Sequence, residues 1–206
     1  MSYADAIKEH IGKPLTLEKT GSWPETKHLL DEKSALSLIA AVAAKRPLLV
    51  RGEPGVGKSQ LARAAAELLG RRFISAVIQP NSEYQELLWM FDHAKRLSDA
   101  QLAGAMRNPS LLKDAEHYIA PGPLWYALNW ATAETCANQH NYRPPKDEKA
   151  PDAKKSGVVL LIDEIDKADI SVANGLLEVL GNGRFDVQMR EQPVQCGEIP
   201  PLVVLT

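Results

Sequence analysis

The stretch Leu48-Leu49-Val50-Arg51-Gly52-Glu53-Pro54-Gly55-Val56-Gly57-Lys58-Ser59 decides how this chain is read. It opens as a short apolar run, turns through three glycines and ends on a lysine and a serine. Its last eight residues fit the spacing G-x-x-x-x-G-K-[ST]. Gly52, Gly55 and Gly57 permit conformations and close backbone approaches that a Cβ would obstruct. The N–H groups of such a loop point inward as an anion nest, and a helix starting near Lys58 adds the positive end of its dipole. Lys58 is placed to set an ammonium against β- and γ-phosphates, and Ser59 to offer a hydroxyl to Mg²⁺. A chance match in a chain of this size has a probability on the order of 1%. The candidate nucleotide-contacting set is Gly52, Glu53, Pro54, Gly55, Val56, Gly57, Lys58, Ser59 and Gln60.

The neighbours of the loop supply its setting. Leu48-Leu49-Val50 reads as a strand buried on both faces of a parallel sheet. Before it, residues 31–45 read as a helix with Leu36, Ile39 and Ala43 on one face and Leu38 and Val42 beside it. After the loop, Lys58 to Leu69 reads as a helix with Leu61, Ala65 and Leu68 on one face and Gly70 as its stop. Phe73 to Ile78 is a second strand. Residues 83–107 read as mostly helical, with Leu87, Leu88 and Phe91 apolar. A turn at Pro121-Gly122-Pro123 precedes another helix, Leu124 to Thr135. Residues 141–156 carry three prolines and eight charges and read as a flexible, solvated loop. Val158 to Ile162 is a third buried strand, Ile170 to Leu180 a helix, and residues 184–198 a hairpin turning near Arg190 to Pro193. Leu202 to Leu205 is a fourth strand. Four apolar runs separated by helices argue for an α/β fold with a parallel sheet. Residues 1–30 read as a polar lead-in with one short helix.

The third strand runs straight into two carboxylates, Asp163 and Glu164. In an open α/β sheet the ligand lies at the carboxyl ends of the strands, so both acids emerge at the edge that carries the loop. Asp163 is the Mg²⁺-side acid, acting through a water, and shares the metal role with Ser59. Glu164, one residue on, points elsewhere and is placed to deprotonate an attacking water. Glu164 and Lys58 are therefore the candidate catalytic residues. Asp166 and Lys167 read equally well as solvated charges or as contacts to a neighbouring subunit.

Composition excludes several classes. The 206 residues carry 24 basic and 26 acidic side chains, a net charge of −2. That balance argues against holding nucleic acid or acidic membranes by bulk charge. The apolar share of 45% is that of a folded globular chain. The two cysteines, Cys136 and Cys196, have no Cys/His cluster around them and read as reduced thiols. His93 and His117 lack partners at metal-ligand spacing. The N-terminus shows no apolar signal segment, and no run reaches the ~20 residues of a membrane span, so a cytoplasmic or peripheral protein is expected. Trp89, Trp125 and Trp130 read as packing residues, and Arg190 as a solvated turn residue.

Three chemistries share a phosphate loop. A GTPase would usually carry an N-K-x-D motif, and none is present. A small-molecule phosphotransferase has its acceptor as nucleophile and rarely needs a Glu directly after the Mg²⁺-side Asp. The Asp-Glu pair favours water as acceptor, hence ATP hydrolysis. A switch module, assembled by ATP occupancy with little turnover, stays open beside it.

Gly52 to Ser59 with Leu161-Ile162-Asp163-Glu164-Ile165-Asp166-Lys167-Ala168 resembles the Walker A and Walker B elements of AAA+ ATPases. The details resemble the MoxR-like group, related to the dynein-type AAA subfamily. Asn174 to Leu180, Gly183-Arg184-Phe185-Asp186-Val187 and Pro200 to Thr206 are similar to its Walker B helix, pre-sensor-1 hairpin and sensor-1 strand, in that order. Tyr118 to Leu124 also resembles a segment of the group. The resemblance, over residues 31–206, implies a three-layer αβα P-loop NTPase core with insertions at about 79–117 and 184–198. It implies ATP and Mg²⁺ as ligands and ring-shaped homo-oligomers, typically hexamers. It also implies a chaperone-like remodelling role, often with a von Willebrand factor A domain partner. Thr206 falls at the end of the sensor-1 strand. The polar sensor-1 residue, arginine finger, fifth strand and helical lid of the family would follow it, so a partial module that binds Mg–ATP but hydrolyses it weakly by itself is expected. The strand at Leu48 to Val50 would then sit on an open sheet edge.

Overall fold

The computed structural model describes residues 2–145 and 150–206. The chain opens with α1 (Tyr3–Glu9), capped by Ser2, and a hairpin of β1 (Pro14–Leu17) and β2 (Thr26–Leu29). Helix α2 (Glu32–Ala44), capped by Asp31, leads to β3 (Leu48–Leu49), the glycine-rich loop and α3 (Lys58–Leu69). Then come β4 (Arg72–Val77), α4 (Tyr84–Leu88), β5 (Trp89–Phe91), α5 (His93–Ala105), β6 (Ile119–Pro121), α6 (Pro123–Leu128) and α7 (Trp130–Gln139). A four-residue turn of helix, α8 (Ala153–Ser156), precedes β7 (Val158–Asp163), α9 (Ile170–Asn182), β8 (Arg184–Phe185), β9 (Val194–Gln195) and β10 (Leu202–Leu205).

Four of these strands form one parallel sheet in the order β3-β10-β7-β4. The strand at its heart is β7, whose Val158 to Ile162 are at most 1% exposed. Period-two alternation sends the side chains to opposite faces. Val159 and Leu161 join Leu202 and Val204 under α1, α2 and α3. Val158, Leu160 and Ile162 join Val203 under α4, α6, α7 and α9. The result is helices, sheet, helices: a mixed α/β fold of three layers. Each fully buried apolar side chain contributes roughly 1.5–3 kcal/mol of transfer free energy.

Several expectations change. The lead-in carries a hairpin besides its helix, and Ile7 and Leu30 sit in the same core as α3. Helix α2 buries Ala35, Leu38 and Ala41, while Leu36 is 50% exposed. The stripe is rotated because α2 packs beside α1 as well as on the sheet. Strand β3 lies at the sheet edge, as expected, but it is only two residues long, and Leu49 is 49% exposed rather than buried on both faces. Residues 83–107 are not one helix. Trp89–Phe91 pair antiparallel with Ile119–Pro121, and this cross-chain ladder overrides local helix propensity. The helix expected at 124–135 is two, separated at Asn129, whose side chain accepts the Thr132 N–H (3.1 Å). Of the loop expected at 141–156, residues 146–149 lie outside the described ones. At its far end α8 buries Ala153, and Lys154 pairs with Glu134.

Trp89, Trp125 and Trp130 are 5%, 0% and 6% exposed, in the packing role expected. Arg190 is not a free turn residue. It donates to Glu116 (2.9 Å), and its guanidinium lies 5.0 Å from the centroid of the Trp125 ring.

Gly122, the N-cap of α6, lies against the backbone of α4. A Cβ there would lie 2.6 Å from the carbonyl oxygens of Glu86 and Leu87. Backbone cannot yield as a flexible side chain does, so Gly122→Ala is expected to cost about 2–3 kcal/mol in urea denaturation. Gly104→Ala in α5, where a Cβ meets nothing within 4 Å, is expected to be neutral or to stabilise by roughly 0.5 kcal/mol.

Candidate functional site

The glycine-rich loop joins an edge strand to a helix, and its conformation needs the glycines. Gly55 and Gly57 have φ of +83° and +89°, left-handed values that L side chains rarely adopt. Gly57 is the N-cap of α3 and offers no capping side chain. The first N–H groups of α3 are thus left for a ligand, on the positive end of a 12-residue helix. Lys58 folds back over the loop and donates to the carbonyl oxygens of Gly52 and Glu53, both at 3.0 Å. This holds its ammonium above the cradle.

Ser59 and Asp163 meet although 104 residues separate them: Ser59 Oγ donates to Asp163 Oδ2 at 2.9 Å. The other oxygen, Oδ1, accepts from the Thr206 hydroxyl and from the Glu164 N–H (3.1 Å). The main chain closes around the same point, with the Ile165 N–H donating to the Thr206 carbonyl (2.9 Å) and the Thr206 N–H to that of Ile162 (3.1 Å). Sequence reasoning missed Thr206, whose position at the end of an apolar strand was its only signal.

Glu164 stands in the left-handed region, with φ of 62°. A non-glycine residue there is uncommon and costs about 1 kcal/mol or more. This turn carries the chain from β7 into the short 3-10 turn Ile165–Lys167. Glu164 pairs with Lys167 at 2.7 Å, and the bond holds the Lys167 ammonium above its ordinary pKa. Both side chains are nearly half exposed, so solvent screens the pair and it adds little to stability.

These residues line one cavity of about 1100 Å³. Gly52, Pro54, Gly55, Gly57, Lys58, Ser59, Gln60, Asp163 and Glu164 all contribute to its wall. Glu53 and Val56 do not; Glu53 offers its carbonyl to Lys58, and Val56 points out, 61% exposed. Gln60 also accepts from Arg63 (2.9 Å). A hydroxyl and a carboxylate facing each other beside an anion nest are hard oxygen donors that fit a magnesium ion. Among the described residues, no group of three or more His, Cys, Asp and Glu could hold a metal ion.

The lead-in hairpin also reaches the site. The His28 ring lies 3.7 Å from the point where a Cβ on Gly57 would stand. Burial lowers the His28 pKa, with Asp31 opposing.

Comparison with known proteins gives the following matches. Residues 47–203 match the AAA domain, dynein-related subfamily. Over 82 residues the chain is 35% identical to the archaeal Lon protease of Methanothermobacter thermautotrophicus, covering 37% of this chain and 13% of that protein. A crystal structure from Cytophaga hutchinsonii, described as a "putative ATPase", aligns with a TM-score of 0.48 and 13% identity. That alignment covers 99% of this chain and 44% of the other. The chain thus spans less than half the length of either protein.

Two outcomes follow from the backbone and charge. Because φ is positive at Glu164, Glu164→Gly should be more stable than Glu164→Ala by about 1 kcal/mol in denaturant melts. His28, with its folded pKa below the unfolded 6.5, takes up its proton less readily when folded. Its contribution is present above pH 6.5 and lost as the pH falls through the lower folded value. His28→Asn should therefore flatten the fall in melting temperature below pH 6.5.

Proposed function

The chain belongs to the AAA domain family, dynein-related subfamily, and from that membership we propose that its cavity binds Mg–ATP and cleaves the γ-phosphate. The observation that carries this reading is the Ser59–Asp163 bond, which brings the phosphate loop and the acidic strand end into one site. The loop N–H groups and Lys58 take the β- and γ-phosphates. Ser59, and Asp163 through a water, would hold Mg²⁺, which would supply positive charge to the phosphate oxygens. Glu164 leaves its exposed pair with Lys167 and accepts a proton from water. The water oxygen forms the new bond to the γ-phosphorus, and the bond to the β-phosphate's bridging oxygen breaks, leaving ADP and phosphate.

The wider role is a MoxR-like remodelling ATPase working in homo-oligomeric rings, typically hexamers, with a von Willebrand factor A domain protein as a partner. The order of the Walker B helix, hairpin and last strand along the chain supports it. A cytoplasmic location fits this role. No helix among the described residues is long and apolar enough to cross a membrane.

Lys58→Ala is expected to abolish ATP binding in a calorimetric titration. Glu164→Gln should keep binding and lose turnover by about 10²-fold or more, the usual share of a general base. Hydrolysis by Glu164→Gln at the wild-type rate would overturn the assignment, as would phosphate appearing on an added acceptor rather than free in solution.

A further inference from the structure

Strand β4 closes one edge of the parallel sheet, and among the described residues no strand lies beyond it. Its pairing with β7 is unbroken from Arg72 to Val77. The N–H groups of Arg72 and Ile78 donate towards β7, to the carbonyls of Gly157 (3.1 Å) and Asp163 (2.9 Å). Main-chain groups alternate in direction along a paired strand, so those of Phe73, Ser75 and Val77 point the other way, off the sheet. Such an edge is ordinarily blunted by charge, proline or a bulge. Phe73-Ile74-Ser75-Ala76-Val77 has none of these.

Phe73, Ile74 and Ser75 line a groove of about 490 Å³. One wall is Trp23, in the layer of α1, α2 and α3. Its Nε1–H donates to Ser75 Oγ (3.2 Å), and its ring meets Phe73 edge-on with centroids 6.0 Å apart. Arg63 of α3, only 4% exposed, steadies the same connection by donating to the Glu18 carbonyl oxygen (2.7 Å). Trp23 also borders the cavity of the candidate site, so the two spaces are neighbours. The opposite wall is Met90, Pro121 and Tyr126, from β5, β6 and α6. Walls already in place spare a guest the entropy of ordering them. Two arginines, Arg72 and Arg143, line the groove, and among the described residues no acidic side chain does. Arg72 is engaged: it donates to the Pro145 carbonyl (3.0 Å) and lies 4.5 Å from the centroid of the Trp130 ring. Arg143 is exposed.

We propose that the β4 edge is a docking groove for an extended segment of another protein, which adds itself to the sheet as a strand beside β4. Unpaired main-chain donors and acceptors recognise an extended backbone, and the two walls take its alternate side chains. The walls are apolar and the charge is basic, so the guest alternates apolar residues and carries an Asp or Glu for Arg143. A second copy of this chain is a poorer guest. Its own β4 lies between the same walls, and edge-to-edge pairing would drive wall against wall. The inference is independent of the nucleotide reading of the neighbouring cavity.

The probe is a library of random seven-residue peptides, selected on the whole chain. Enriched sequences are remade as blocked peptides and titrated by calorimetry. They are expected to alternate apolar residues and to carry an acid, and Arg143→Glu should reverse that charge preference. Ser75→Pro removes an N–H that faces the guest and leaves the ladder to β7 whole, a position where an edge strand tolerates proline. It is expected to weaken the peptide about tenfold, the share of one main-chain hydrogen bond. Ser75→Ala loses the bond from Trp23 but keeps the N–H, and should bind as the wild type does. A measurement on the unaltered chain stands even if Ser75→Pro does not fold. Methylating alternate main-chain nitrogens of the peptide should weaken one set about tenfold and spare the other, because only one set faces β4. No enrichment, enriched peptides without an acid, equal binding by Ser75→Pro, or equal loss from both methylated sets overturns the inference. Self-association of the chain that Ser75→Pro abolishes overturns it too, by putting a second copy on the edge.

Discussion

The carboxylate of Asp163 is the point on which the structure turns. Its two oxygens accept from Ser59 at the start of α3, from Thr206 at the end of β10 and from the Glu164 backbone. Three elements that are remote in sequence are thereby tied at one edge of the sheet. A buried or half-buried carboxylate is tolerated only when its lone pairs are met, and here donors meet both oxygens. The same requirement that stabilises the junction sets the donors a metal ion would use. Structure and chemistry share one anchor.

How much of this could be read from the letters depended on whether the signal was local. Val158 to Ile162 spells a buried strand because five consecutive apolar residues, three of them β-branched, need no partner to be recognised. The phosphate loop is legible because its glycines and lysine act at fixed offsets, and Gly183 and Gly70 end their helices by a local backbone requirement. Strand β5 was hidden, since Leu87 to Phe91 looks like a continuing helix until Ile119–Pro121 arrives from across the chain. The β1–β2 hairpin was hidden for a different reason. Its alternation of Leu15 and Leu17 against Thr26 and His28 is only four residues long on each strand, and the breakers Gly21 and Pro24 resemble any loop.

The candidate site divides in the same way. Lys58, Ser59, Asp163 and Glu164 belong to contiguous motifs, and the structure places all four on one cavity wall. Trp23, Arg63 and Thr206 reach that neighbourhood only through tertiary contacts, so no window of sequence announces them. Arg63 illustrates the limit well: on a helical wheel it reads as a charged, outward residue, and the folded chain buries it under the hairpin. Leu36 shows the converse, an apolar residue on the expected stripe that the packing of α1 leaves in solvent.

The 104-residue separation of Ser59 and Asp163 also bears on how the chain keeps its shape. Bringing those two residues together requires closing a long loop, whose entropic cost grows with the logarithm of its length. The unfolded chain therefore has no such site. A ligand that spans both residues binds the closed chain alone and draws the population toward it by mass action, worth about 2.7 kcal/mol at a hundredfold excess over its dissociation constant. For a domain whose net stability is commonly only about 5–15 kcal/mol, the occupant of the cavity is in that sense a component of the fold, and the free and loaded chains differ in durability before any catalysis takes place.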